Sequence, residues 1–226
     1  MKSFMVFALV AYCFVIIAFG AWDNIVYREE NHVMVISERL NVPNTVTAVY
    51  LQSRVYDTLF EIILFTMVAM AVAFMLKSEP VHEHNNQTID NSTSVYGSLV
   101  GVLSLTAFCF VVLNGHLSPG GGFAGGVILA SGISLYAITS GFSVVNRQYE
   151  RMKAGMMEGA SFLIIVSFMT LAAVFPEVFQ QLNQKQSFGA LFSGGIIPML
   201  NILIGVKVYA ASWKMVKEFV ARRGPL

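Results

Sequence analysis

Charged side chains are scarce in this sequence. Asp, Glu, Lys and Arg make up 12% of its 226 residues, about half the share of an ordinary soluble domain. Nor is there an excess of either sign: the formal net charge is +1, which excludes the broad basic face that a nucleic-acid partner requires. Cysteine is limited to Cys13 and Cys109, each inside an apolar run. Their separation gives neither metal-ligand spacing nor a disulfide framework, and they read as two small buried apolar side chains. Also missing are a phosphate-binding glycine loop of the Walker type, a dinucleotide fingerprint, a Cys/His cluster and any nucleophile–base–orienter set. The sequence therefore offers no catalytic residue, no metal site and no cofactor site. What fills the space is apolar: 56% of residues are hydrophobic and the mean hydropathy is +0.66. Such a chain would expose more apolar surface than water tolerates, so the bilayer is the expected solvent.

The expected fold is all-α, an integral membrane bundle of about six transmembrane helices. A spanning helix needs roughly 20 mostly apolar residues, and six segments qualify: Ser3–Ala21, Thr58–Leu76, Tyr96–Leu113, Phe123–Phe142, Gly155–Phe175 and Phe188–Ser212. The first resembles a signal peptide, but its apolar stretch from Phe4 to Phe19 is too long and lacks a small-x-small site before Trp22; it reads as a retained helix. The long stretch Trp22–Asp57 begins charged and turns apolar after Val42-Pro43-Asn44, a turn signal. Polar residues from Lys77 to Ser94 read as a linker. It carries two glycosylation-type sequons, at Asn86 and Asn91, and the pair His82/His84 around Glu83, read as solvated.

Orientation follows from Lys and Arg near the helix ends. With the N-terminus inside, one side collects Lys2, Lys77, Arg147, Arg151, Lys153, Lys214, Lys217, Arg222 and Arg223. The other holds Arg28, Arg39, Arg54 and Lys185. That imbalance predicts a multi-pass protein of the cell membrane with both termini cytoplasmic.

The most informative run is Asn114-Gly-His-Leu-Ser-Pro-Gly-Gly-Gly-Phe-Ala-Gly-Gly126. It joins two spans with almost no polar loop. Pro119 lacks a backbone donor, and Gly115, Gly120, Gly121 and Gly122 resist helix formation, so the chain should break there and restart near Phe123. Gly121/Gly125 and Gly122/Gly126 form overlapping small-xxx-small pairs that permit close helix approach. One reading is a tight hairpin with intimate packing; the other adds a hydrated break in which His116 relays protons.

A second constellation is Arg54, Asp57 and Glu61, spaced to share one helix face. Asp57 suits a helix N-terminus. Glu61, followed by Ile-Ile-Leu-Phe, enters the hydrocarbon, where a carboxyl must pair or hold a proton. The fifth span opens with Glu158, and Lys207 lies within the sixth. Its amine is expected either to snorkel to the interface or, if the two helices are antiparallel, to meet Glu158 at similar depth. Pro198 and Asn201, a turn apart, suggest a mid-helix kink.

These motifs resemble a known family. Gly115-His-Leu-Ser-Pro-Gly-Gly-Gly-Phe123, with Gly194-Gly-Ile-Ile-Pro198 and Asn201-Ile-Leu-Ile-Gly-Val-Lys207, is similar to the MnhB/MrpB component of multisubunit Mrp-type sodium/proton antiporters, over roughly Ser94 to Val216. The run from Thr47 through Asp57 to Glu61 is instead similar to the C-terminal region of the large MnhA/MrpA component of those antiporters, which occurs as a small separate MbhE-like subunit in membrane-bound hydrogenase and sulfur-reductase complexes; Phe60 stands where that family usually has Gly. The resemblance implies three parts: a two-helix segment at 1–78, a polar linker at 79–94 and a four-helix MnhB-like domain at 95–226. It implies a non-catalytic transport subunit, with other antiporter-module subunits as partners and any redox cofactors held by neighbouring subunits. Functional interest falls on Asp57, Glu61, His116, Glu158 and Lys207. A structural scaffold without a direct role in the ion path is the alternative.

Overall fold

The computed structural model describes residues 42–53, 55–80, 91–175 and 195–223, together with Val35, Ser37 and Glu38. All belong to one compact unit, Val33–Leu226. The expected first span Ser3–Ala21, Arg54 and the linker histidines lie outside the described residues.

Every regular element among the described residues is helical. A short helix α1 (Thr45–Ala48) continues into a π-helical turn, Val49–Ser53. Then follow α2 (Val55–Leu76), α3 (Asn91–Leu113), α4 (Gly122–Ser140), α5 (Phe142–Arg151), α6 (Ala154–Val174) and α7 (Ile197–Arg223). Five of these, all but α1 and α5, are long and apolar enough to cross a membrane. In hydrocarbon every backbone N–H and C=O must be satisfied within its own segment, so apolar runs of this length become helices.

α7 is the axis of the bundle. Half of its span is buried, against 17% for α3, and it packs on α2, α3, α4 and α6. Contacts fix the directions. Gly122 and Gly126 of α4 meet Asn201 and Val208 of α7 in order, so those helices run parallel. Arg222 at the end of α7 donates to the carbonyls of Lys77 and Glu79 just past α2 (3.1 and 2.7 Å), so α2 is parallel as well. Glu158 near the start of α6 reaches Lys207 and Lys214, which makes α6 antiparallel.

In the glycine run, adjacent positions serve different neighbours. A Cβ on Gly126 would sit 2.6 Å from the Val208 Cβ and 2.7 Å from the Gly205 carbonyl oxygen, so α4 and α7 touch through backbone there. Gly125 instead faces Val112 and Phe108 of α3. Gly120 and Gly121 hold φ of 143° and 136°, conformations that a side chain opposes, and they turn the chain into α4.

Several sequence expectations are corrected. The fourth span ends at Ser140 because Gly141, at φ 94°, breaks it. There follows α5, an amphipathic helix missed in the sequence, which buries Val145 and Tyr149. Pro198 sits in the first turn of α7, where a proline costs little, rather than at a mid-helix kink. That helix runs on to Arg223 instead of ending at Ser212. Cys109 is exposed on α3, not buried.

Candidate functional site

Polar side chains collect at two levels of α7. At the first, the backbone is broken. The hairpin at 114–121 leaves carbonyls without helical partners, and the segment before α2 supplies donors for them. Asn44 caps α1, its side-chain oxygen accepting from the Thr47 N–H (3.3 Å). Its amide nitrogen donates to the carbonyls of Gly115 (2.8 Å) and Ser118 (2.6 Å), and its backbone N–H donates to that of His116 (3.0 Å). The Thr47 hydroxyl adds a second donor to Gly115 (2.6 Å). Asn201 of α7 completes the clasp: its side-chain oxygen accepts from the Tyr50 hydroxyl (3.0 Å) and the Gly122 N–H (3.2 Å). Asn201 and His116 are fully buried.

Beside this clasp opens a cleft of about 640 Å³ lined by Tyr50, Glu61, Leu64, Gly120, Gly121 and Phe123, among others. A smaller one of about 310 Å³ adds Asp57 to Tyr50 and Glu61. Glu61 thus borders both, and its side chain is exposed on α2. Burial pushes the Tyr50 phenol above its usual range, the Thr47 hydrogen bond works against this, and the charge of Glu61 adds a smaller upward push.

At the second level the backbone is intact and the polar groups are ionic. Lys207 Nζ lies 2.8 Å from Glu158 Oε1, with side-chain exposures of 1% and 8%. The snorkelling expectation for Lys207 fails: α7 continues for four more turns past it, and a buried acceptor lies on the facing helix. Lys214 Nζ takes the other oxygen, Oε2, at 3.4 Å, and is 37% exposed. Lys207 and Lys214 are seven residues apart, two helical turns, so they share a face. Lys207 Nζ also stands 5.9 Å above the Phe162 ring, a cation–π distance.

Tyr149 of α5 closes this region, donating its hydroxyl to the Ala210 carbonyl (3.2 Å). Its phenol is held well above its usual range, first by burial and then by the charge of Glu158, with Tyr209 and Glu150 adding to it. Trp213 stacks on Phe142 and meets the Tyr149 ring at a tilt. An outer ion pair joins Lys217 to Glu150.

The structure therefore brings Glu158 and Lys207 together, and keeps Asp57, Glu61 and His116 at the other level. Sequence reasoning missed Asn44, Thr47 and Tyr50 as the clasp on the hairpin. It counted Lys214 only as an orientation charge, although its seven-residue spacing from Lys207 was a usable signal.

Comparison with known proteins agrees with this architecture. Residues 92–214 match the family described as a domain related to the MnhB subunit of Na+/H+ antiporters. The chain belongs to this family. The MnhB-related region runs from the first turn of α3 to Lys214, so the hairpin, His116, Glu158, Lys207 and Lys214 lie inside it, and Asp57 and Glu61 lie before it. An uncharacterised protein of Methanocaldococcus jannaschii is 28% identical over 196 residues, covering 75% of this chain and 74% of that protein. A chain in the structure of the membrane-bound sulfane sulfur reductase, an archaeal respiratory membrane complex, superposes with a TM-score of 0.64 at 22% identity, covering 96% of this chain and 97% of that one. That likeness shows a shared fold.

Proposed function

We propose that this chain is a non-catalytic membrane subunit of a multisubunit cation/proton antiporter module, of the Na+/H+ exchange type, built into an ion-pumping respiratory complex. One observation carries the reading: an MnhB-family bundle buries an ionic pair, Glu158–Lys207, within its membrane span. Ionisable side chains are expensive at that depth and, where they occur, mark ion or proton routes. The fold it shares with a chain of a respiratory membrane complex supports placement beside other membrane subunits. Asp57, Glu61 and His116 form the second group of route candidates, at the hairpin level, and Glu61 beside the open cleft is the one best placed to meet a neighbour.

Three further points belong to this reading. Residues 1–78, the linker 79–94 and the domain 95–226 are the remnants of two neighbouring antiporter subunits joined in one chain; the family match starting at 92 supports that division. Lys77, Arg147, Arg151, Lys153, Lys214, Lys217 and Arg222 gather at the end of the bundle where α2, α4 and α7 finish, which supports a cytoplasmic C-terminus by the positive-inside rule. The cell is prokaryotic.

A scaffold role has its own support in the backbone contact at Gly126 and in the clasp on the hairpin. The test separates the two. A C-terminally tagged chain, solubilised gently, should bring down large proton-pumping subunits together with redox subunits. In vesicles, the assembled complex carrying Glu158→Gln or Lys207→Ala should lose cation/proton exchange. Assembled variants that transport normally would leave the scaffold reading standing.

A further inference from the structure

Glu158 is held by two lysines that differ in surroundings. Lys207 is sealed, at 1% exposure, while Lys214 is 37% exposed, and each binds a different carboxyl oxygen. The three side chains form one continuous row from the open end of α7 to its buried middle. A purely structural pair needs one cation; here a second one is added on the water side, leaving two amines on one carboxyl. We infer that Lys214 is the residue through which the buried Glu158–Lys207 pair exchanges protons with the aqueous phase. The inference rests on the reading of that pair as part of the ion route.

The steps balance as simple transfers. A Lys207 that has released its proton to the route is a neutral amine, and it takes a proton from the protonated Glu158 carboxyl. Glu158 has taken that proton from the Lys214 ammonium, breaking an N–H bond and forming an O–H bond. The neutral Lys214 amine is then reprotonated by hydronium at the interface. No electrons move. The proton arrives on Oε2 and Lys207 stands at Oε1, so a half-turn of the Glu158 carboxyl about its Cγ–Cδ bond hands it across while both lysines stay in place.

The other titratable groups around the row are few. α5 contributes Tyr149, whose hydroxyl is committed to the Ala210 carbonyl, and Glu150, committed to Lys217; its Arg147 and Arg151, like Lys153 just past it, are exposed. On α7 itself stand Tyr209, Lys217 and Glu218, the last paired with Arg222. α4 offers Tyr136, α3 offers Tyr96 and Cys109, and neither carries a charged residue. α2 holds Asp57 and Glu61 at its opposite end, and Lys77 just past its last turn.

The test uses the intact complex in vesicles, with assembly followed on blue-native gels. Arginine keeps the charge and can hold the carboxyl, but does not give up its proton at these pH values. Lys214→Arg should therefore leave assembly intact while slowing exchange about a hundredfold, the low side of what a positioned proton donor contributes, with the pH profile of the rate changed. Exchange in Lys214→Ala should be restored in part by small primary amines added to the buffer. Normal rates and pH profile in Lys214→Arg, with Glu158→Gln and Lys207→Ala inactive, would overturn this inference alone. Normal rates in all three would overturn the route itself. If Lys214→Arg fails to assemble and amines do not restore Lys214→Ala, Lys214 is an assembly residue and the inference falls.

Discussion

The two polar levels of α7 solve different problems with different chemistry. Asn201 and Lys207 are six residues apart, about 9 Å along a helix, yet one anchors a neutral network and the other a buried ion pair. At Asn201 the neighbouring backbone is broken, and the carbonyls of Gly115, His116 and Ser118 need donors. Amides and hydroxyls supply them without bringing charge into the membrane. At Lys207 the surrounding helices already satisfy their own backbones, so the ions there have no backbone duty to perform. A polar group that repairs backbone is explained by the fold. One that repairs nothing calls for a functional account, and this difference is what points to Glu158, Lys207 and Lys214.

The sharpest way to break that comparison is to remove one ion. Lys207→Met leaves Glu158 buried without its closer partner, and stripping one member from a buried pair costs about 3–5 kcal/mol. The double variant Lys207→Met/Glu158→Met should recover most of this loss, since an apolar pair of similar volume replaces the ions well. Lys214, being 37% exposed, can then turn to water. Both stabilities are readable from thermal loss of the complex in detergent. Equal losses in the single and double variants would mean that the two residues are not energetically coupled.

Next in size is the contact that sets the distance between α4 and α7. Gly126→Leu places a branched side chain where even a Cβ would stand 2.6 Å from Val208. Overpacking of this kind costs about 1–3 kcal/mol, and here it forces two backbones apart. The expected outcome is less assembled complex, with normal exchange per complex in what remains. Lost exchange in fully assembled material would instead tie the glycine face to the route. At the hairpin, Asn44→Ala removes an N-cap worth about 1 kcal/mol and takes the Asn44 donor from the Ser118 carbonyl, while Gly115 keeps its Thr47 donor. Lower thermal stability with intact exchange is expected there. The same substitution abolishing exchange would show that the neutral level is not merely repair.

Much of this was legible in the sequence, for physical reasons that differ by region. Membrane spans declare themselves because hydrocarbon admits only long apolar helices, so α2, α3, α4 and α6 were found within a few residues. The glycine run announced a break and close packing because backbone torsion is local. Antiparallel pairing of two helices was enough to suggest that Glu158 meets Lys207. What escaped depended on long-range partners. Asn44 and Thr47 are ordinary turn residues until the hairpin about 70 positions later presents its carbonyls. α5 is short and polar, and only its docking of Tyr149 and Val145 against Ala210 and Trp213 explains why it folds. Pro198 looked like a kink because the start of α7 was placed too early.

The smallest effect is expected just outside the buried row, and it tests whether depth is what matters. Lys217 and Glu150 also form an ion pair between α7 and α5, but the side chains are 29% and 59% exposed. In water such a pair contributes about 0–1 kcal/mol, because solvent screens the attraction and two long side chains must be held still. Lys217→Ala should therefore change neither assembly nor exchange beyond that range. Lys214, three residues earlier and only slightly more exposed than Lys217, differs in one respect: its carboxyl partner is buried and shared with Lys207. If exchange depends on Lys214 and not on Lys217, the decisive property is connection to the sealed pair rather than positive charge at this end of the bundle. If both substitutions slow exchange equally, the end acts as a diffuse basic surface, and the row of three loses its special standing.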